Sequence, residues 1–145
     1  MTGVQTCALP ISKSRSNDNP VYYMQYAHAR VASVMKQLAA RGLTYDAASA
    51  LASLGRLDSA HEAAVLKALA RYPETIVQAA TQRTPHTLVH FLRELAQAFH
   101  TWYNAAQFIV DDAALRNARL ALALGTQQVM RNGLALLGAG APETM

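Results

Sequence analysis

Tyr23, Tyr26 and Arg30 stand at i, i+3 and i+7 in the stretch Asn-Pro-Val-Tyr-Tyr-Met-Gln-Tyr-Ala-His-Ala-Arg that fills positions 19–30. On a helix of about 3.6 residues per turn they share one stripe. Aromatic rings beside a guanidinium suit an unstacked nucleic-acid base, because a ring stacks on the base while Arg reaches a base edge or a phosphate. The same spacing also fits a tyrosine-rich core helix that carries one arginine, since aromatic stripes on helices are commonly packing. Met24, Ala27, Val31, Val34, Met35 and Leu38 occupy the neighbouring face and read as core, which leaves the tyrosine–arginine stripe as the presented surface.

Other polar groupings carry less chemistry. His86 and His90 are four apart, a spacing that can hold a metal, but no glutamate lies between them and the sequence offers no third ligand. With Arg93, Gln97, His100 and Asn104 they form a polar helix face, expected to be solvated or turned toward RNA. Asp111 and Asp112 suit a helix start, where capping and dipole compensation account for them, better than acid–base work. His28 is expected opposite the core face of the first helix.

Caps and breakers set out the helices that must position these residues. A first helix runs from Pro20 to about Ala40, capped by Asp18 or Asn19 and ended by Arg41-Gly42. A short helix is expected over Tyr45 to Leu54. Ser59 and Glu62 form a capping box for a helix to about Arg71. Pro73 starts another that ends near Gln82. Thr84-Pro85 opens a long helix to about Gln107, with Leu88, Phe91, Leu92, Leu95, Phe99, Trp102, Tyr103 and Ala106 on its buried stripe. Asp111 is expected to cap the last helix, Asp112 to about Leu137, which is apolar around most of its circumference and belongs at the centre of a bundle. Gly125 and Gly133 inside it each cost about 1 kcal/mol against alanine, so close packing is their expected reason.

Composition agrees with an all-α helical bundle. The chain has 145 residues, enough for one domain with its own core. Alanine is abundant and β-branched runs are scarce. Net charge is +4, from 13 Lys and Arg against 9 Asp and Glu, but charged residues are only 15% and no basic run occurs. That tilts weakly toward a polyanion. No apolar run long enough and free enough of charge to span a membrane is present. Cys7 is the only cysteine, so no disulfide forms within one chain. A cytoplasmic setting is expected.

The 19–30 string resembles, at every specified position, the segment Asn-Pro-Val-Tyr-Tyr-x-Gln-Tyr-Ala-His-Ala-Arg that opens the C-terminal anticodon-binding domain of bacterial arginyl-tRNA synthetases. Ala98-Phe99-His100-Thr101-Trp102-Tyr103-Asn104 is similar to a second segment of that family, and Ala114-Leu115-Arg116-Asn117-Ala118-Arg119-Leu120 to the motif that names the DALR domain. Here the aspartate stands at Asp112 with Ala113 intervening, a departure from the literal motif. The ending from Arg131 to Gly138, followed by Ala141-Pro142 and Met145, resembles the family's C-terminus, so the chain is expected to be complete there.

The resemblance implies an all-α bundle over 20–145 that binds tRNA(Arg). It implies that the central anticodon base is held by Tyr23, Tyr26, Ala29, Arg30, Tyr103 and Met145. It implies no catalytic residue or cofactor in this chain, which lacks the nucleotide-binding signatures and Gly-rich phosphate loop of the catalytic domain. The parent enzyme, expected to be monomeric, would use ATP with magnesium to join arginine to its tRNA, and that missing catalytic domain is an expected partner. Residues 13–19 are then the remnant of the linker. Residues 1–12 fit neither the helical period nor the resemblance, lack the features of a secretion signal, and can be back-translated as a sequencing-adapter tail. They are expected to be non-native. The alternative is a stand-alone helical interaction module, monomeric or dimeric, that never touches RNA.

Overall fold

The computed structural model describes residues 19–145; the expected tail, most of the linker remnant and Cys7 lie outside the described residues. Within them the chain forms α1 (Pro20–Ala40), α2 (Ala47–Ala52), a 3-10 turn (Leu54–Arg56), α3 (Ala60–Ala70), α4 (Tyr72–Thr81), α5 (Pro85–Ala105) and α6 (Ala113–Leu136), with no strand among them. The helical bundle expected from the sequence is present.

Local chemistry sets most boundaries. Asn19 caps α1 by accepting from the Val21 N–H at 3.0 Å, with Pro20 at the first turn. Gly42, at φ +67°, ends it in the left-handed conformation that glycine adopts without strain, and Leu43 N–H returns to Leu38 O. The capping box closes both ways: Ser59 Oγ accepts from Glu62 N–H and a Glu62 oxygen accepts from Ser59 N–H. Three boundaries differ from expectation: the long helix α5 stops at Ala105, short of Gln107, with Ala106 beyond its end, and the other two have a visible cause. The second helix is shorter and gives way to the 3-10 turn, where Gly55 and Leu54 tighten the chain. The cap of α6 is Asp112, not Asp111, because Asp112 Oδ1 accepts from Leu115 N–H at 3.1 Å while its other oxygen pairs with Arg56 at 2.6 Å.

Helix α6 packs against α1, α2, α3 and α5, and so takes the central place its all-round apolar character calls for. Met24, Leu92, Leu95, Phe99, Trp102, Leu120, Met130 and Leu134 are fully buried between these elements. A buried ion pair ties α3 to α6. Arg119 Nε donates to Glu62 Oε1 at 2.8 Å, and Arg119 Nη1 donates to Gln107 O at 2.8 Å. Burial alone would raise the Glu62 carboxyl, but hydrogen bonds from Ser59 and Arg119 and the Arg119 charge outweigh it and hold the pKa below the ordinary glutamate value.

The two interior glycines of α6 have different reasons. A Cβ on Gly133 would sit 2.6 Å from both methyls of Leu92, itself fully buried, whereas one on Gly125 would meet only Leu69 Cδ1 at 4.0 Å. Close packing therefore explains Gly133 and not Gly125. Gly125→Ala is expected to raise stability by up to about 1 kcal/mol through helix propensity. Gly133→Ala is expected to lose about 1–3 kcal/mol to overpacking, less any such gain. Thermal melts of the two variants should move in opposite directions; equal shifts would remove the packing role of Gly133.

Candidate nucleic-acid interface

Three elements build the site. Helix α1 presents Tyr23, Tyr26, Ala29, Arg30, Ser33 and Lys36 along one stripe. Helix α5 crosses it with Gln97, His100, Tyr103 and Asn104. The third is the segment 138–145, which leaves α6 through Gly138, at φ +74°, and runs back over α1. That segment is strapped down by two side chains of α1: Gln25 Nε2 donates to Gly140 O at 2.8 Å, and His28 Nδ1 donates to Pro142 O at 2.9 Å. Gln127 of α6 fixes the same turn of α1 through His28 O.

His28 is fully buried, not on the outer side of α1. On the helical wheel it lies beside Met24 and Val31 rather than opposite them, and the returning C-terminal segment and α6 cover it. Its Nδ1–H is fixed by the carbonyl it serves, because a carbonyl can only accept.

The strap brings Met145 to a cavity of about 330 Å³ lined by Tyr26, Ala29, Arg30, Ser33, Lys36, Tyr103, Glu143, Thr144 and Met145. Five of the six residues expected to hold a base, Tyr26, Ala29, Arg30, Tyr103 and Met145, therefore meet at one opening. Tyr23 does not line it. Its ring packs on His100 at 4.5 Å and its hydroxyl contacts Gln97 Oε1 at 3.3 Å, so it stands behind the cavity wall. Burial raises the Tyr23 phenol pKa, partly opposed by Arg30 and Arg93, which keeps the hydroxyl neutral at physiological pH.

Arg30 is the centre of the arrangement. Its guanidinium carbon lies 4.4 Å from the Tyr26 ring centroid and 4.5 Å from that of Tyr103. Such contacts each hold a cation by about 0.5–1 kcal/mol or more when water is excluded. Nη1 donates to His100 Nδ1 at 3.1 Å and reaches Asn104 Oδ1 at 3.4 Å; Nη2 donates to the Tyr26 hydroxyl at 3.3 Å. Every one of these partners is neutral, and among the described residues no carboxylate pairs with Arg30. Of its five N–H donors, these contacts occupy three. The remainder, on a guanidinium that no carboxylate pairs directly, suit a planar group with acceptor atoms or a phosphate.

His100 corrects the reading of the α5 polar face. It is 6% exposed, held by Arg30 on one ring nitrogen and by Tyr23 O at 3.2 Å on the other, and sits against the Tyr23 and Tyr26 rings. The wheel gives its direction but not the tyrosine-bearing helix laid across it. His90 stays exposed and pairs with Glu94, and among the described residues no group of three metal-binding side chains forms. Ser33, Lys36, Glu143 and Thr144 line the cavity without being expected there. Ser33 and Lys36 continue the Tyr26–Arg30 stripe at i+3 and i+6 from Arg30, so extending the same period would have found them; Glu143 and Thr144 have no such signal.

No helix among the described residues is long and apolar enough to cross a membrane. The chain is 57% identical over 137 residues to an arginine–tRNA ligase of Halorhodospira halophila and 53% identical over 137 residues to one of Thioalkalivibrio sulfidiphilus. The alignments take in 94% of this chain but 24% and 23% of those relatives, so it spans about a quarter of their length. Its fold matches Thermus thermophilus arginyl-tRNA synthetase with a TM-score of 0.71 and 30% identity, over 92% of this chain and 22% of that one. Residues 24–145, which contain the crossing of α1 and α5, the central helix α6 and the whole C-terminal strap, match the sequence profile of the DALR anticodon binding domain, and the chain belongs to that family.

Proposed function

We propose that this chain recognises the anticodon of arginine tRNA as part of an arginine–tRNA ligase whose ATP- and magnesium-dependent chemistry resides outside the residues described. The observation that carries the reading is Arg30, clamped between two tyrosine rings with neutral hydrogen-bond partners, at a cavity that Met145 helps to line. Every arginine codon has G in the middle, so every arginine tRNA presents C at the centre of its anticodon, and one cavity serves them all. A cytosine turned out of its stack offers acceptors to the open Arg30 donors and a flat face to Tyr26 or Tyr103. Ala29, with no side chain beyond Cβ, leaves room for its approach.

Low charge density implies that few phosphates are contacted, so binding should show a shallow salt slope compared with strongly basic RNA-binding domains. A gel-shift of the chain with arginine tRNA against a non-cognate tRNA tests the reading. Preferential retardation of arginine tRNA is expected; equal binding of both would overturn it. No observation favours the stand-alone interaction module.

A further inference from the structure

We propose that His100 is the positioning residue that aims Arg30, and that it does so only as the neutral imidazole carrying its proton on Nε2. This rests on the base-reading role of Arg30 given above and adds a proton-linked control to it.

The tautomer follows from the partners. Tyr23 O, 3.2 Å from Nε2, can only accept, so Nε2 must donate. Arg30 Nη1, 3.1 Å from Nδ1, can only donate, so Nδ1 must accept. One ring thus bridges the backbone of α1 to a side chain two turns further along the same helix, from a position on α5. Its orientation is fixed at both nitrogens and by the rings of Tyr23 and Tyr26, at 4.5 and 5.5 Å. Asn104 and the Tyr26 hydroxyl reach Arg30 at longer distances, 3.4 and 3.3 Å, so His100 is the shortest of its hydrogen-bond partners.

Protonation would place an N–H on Nδ1 against an N–H of Nη1, and two positive charges side by side. The surroundings oppose it. From α1, His100 faces Arg30 and the phenols of Tyr23 and Tyr26; on its own helix Arg93 lies beside Tyr23, and Tyr103 borders Arg30. Across the cavity, Lys36 adds positive charge and Glu143 with the chain terminus at Met145 adds negative. Among the described residues no carboxylate pairs with His100. Burial lowers its pKa below the ordinary 6.5; the Tyr23 carbonyl opposes this and the Arg30 charge adds to it. The neutral clamp is therefore complete at neutral pH and is lost as pH falls through that lowered value.

Two variants of the full chain separate aiming from packing. His100→Phe keeps a ring between Tyr23 and Tyr26 but removes both hydrogen bonds. His100→Gln keeps an acceptor and a donor but does not titrate. Binding of arginine tRNA and of the same tRNA with its central C changed to U is measured from about pH 8 to about pH 4.5, a range that continues well below the ordinary histidine value because burial lowers that of His100. The wild-type preference for C is expected to fall about tenfold across that range, while His100→Gln keeps a preference whose pH profile is flat, and His100→Phe shows a preference reduced about tenfold throughout. The flat profile also accounts for any effect of pH on the RNA itself.

A second readout needs no RNA. The ¹⁵N resonances of the Arg30 guanidinium in the free chain should show hindered rotation at neutral pH, lost in His100→Phe and on acidification together with the His100 imidazole transition. If the wild type does not distinguish the two tRNAs, the base-reading role fails, and the guanidinium spectrum still decides whether His100 holds Arg30. An unchanged Arg30 spectrum in folded His100→Phe, or a preference for C that is pH-dependent to the same degree in His100→Gln, would overturn the proposal.

Discussion

Arg119→Ala is expected to destabilise the chain by about 3–5 kcal/mol, the usual result of leaving one member of a buried ion pair without its partner. Glu62 is fully buried and the Arg119 side chain only 16% exposed, so water cannot replace the lost guanidinium. The substitution also frees Gln107 O, which Arg119 serves between α5 and α6. Against a typical total of about 5–15 kcal/mol the variant would be partly unfolded at moderate temperature. Arg56→Ala breaks an exposed pair with Asp112 and should cost below about 1 kcal/mol. Urea unfolding of both variants measures the contrast; losses of similar size would mean that Glu62 is solvated. The pair also sets an acid limit. Because the folded Glu62 pKa lies below the ordinary 4.5, its contribution is full above that value and is lost as pH falls through the lower folded one.

Arg30→Ala should weaken binding to arginine tRNA by about 1–3 kcal/mol, the worth of a good side-chain contact to a base. The fold should tolerate the change. Arg30 is partly exposed, its partners are neutral, and Tyr26, Tyr103 and His100 keep contacts with other rings. A large fall in melting temperature would instead mark Arg30 as a structural residue, with both cognate and non-cognate binding reduced.

Much of this was legible in the sequence, for identifiable reasons. The 3.6-residue period on α1 separated Met24, Ala27 and Val31 from Tyr26 and Arg30, and the period on α5 placed Phe99 and Trp102 inside, because burial of one apolar stripe decides which way a helix turns. The caps at Ser59 and Asp112 and the proline after Thr84 bound helices to within a few residues. What the period could not supply was the partner laid over a polar face. His100 and His28 were legible as polar positions, yet α1 covers one and the 138–145 strap covers the other; both contacts join residues far apart in sequence. Tyr23 shares the stripe of Tyr26 and Arg30 but is turned to the α5 side, where His100 and Gln97 occupy it. Met145 reaches the cavity through a chain reversal at Gly138 and two hydrogen bonds from α1. No local pattern encodes that path, and it was expected only from the family resemblance.

The central claim is that Arg30 reads the middle base of the anticodon, and a crossed binding measurement tests it most directly. Wild-type chain and Arg30→Ala are each titrated with arginine tRNA and with the same tRNA whose central C is replaced. The Arg30→Ala penalty should appear on the first tRNA and vanish on the second. Equal penalties on both would contradict the account and leave Arg30 as a phosphate contact without sequence meaning.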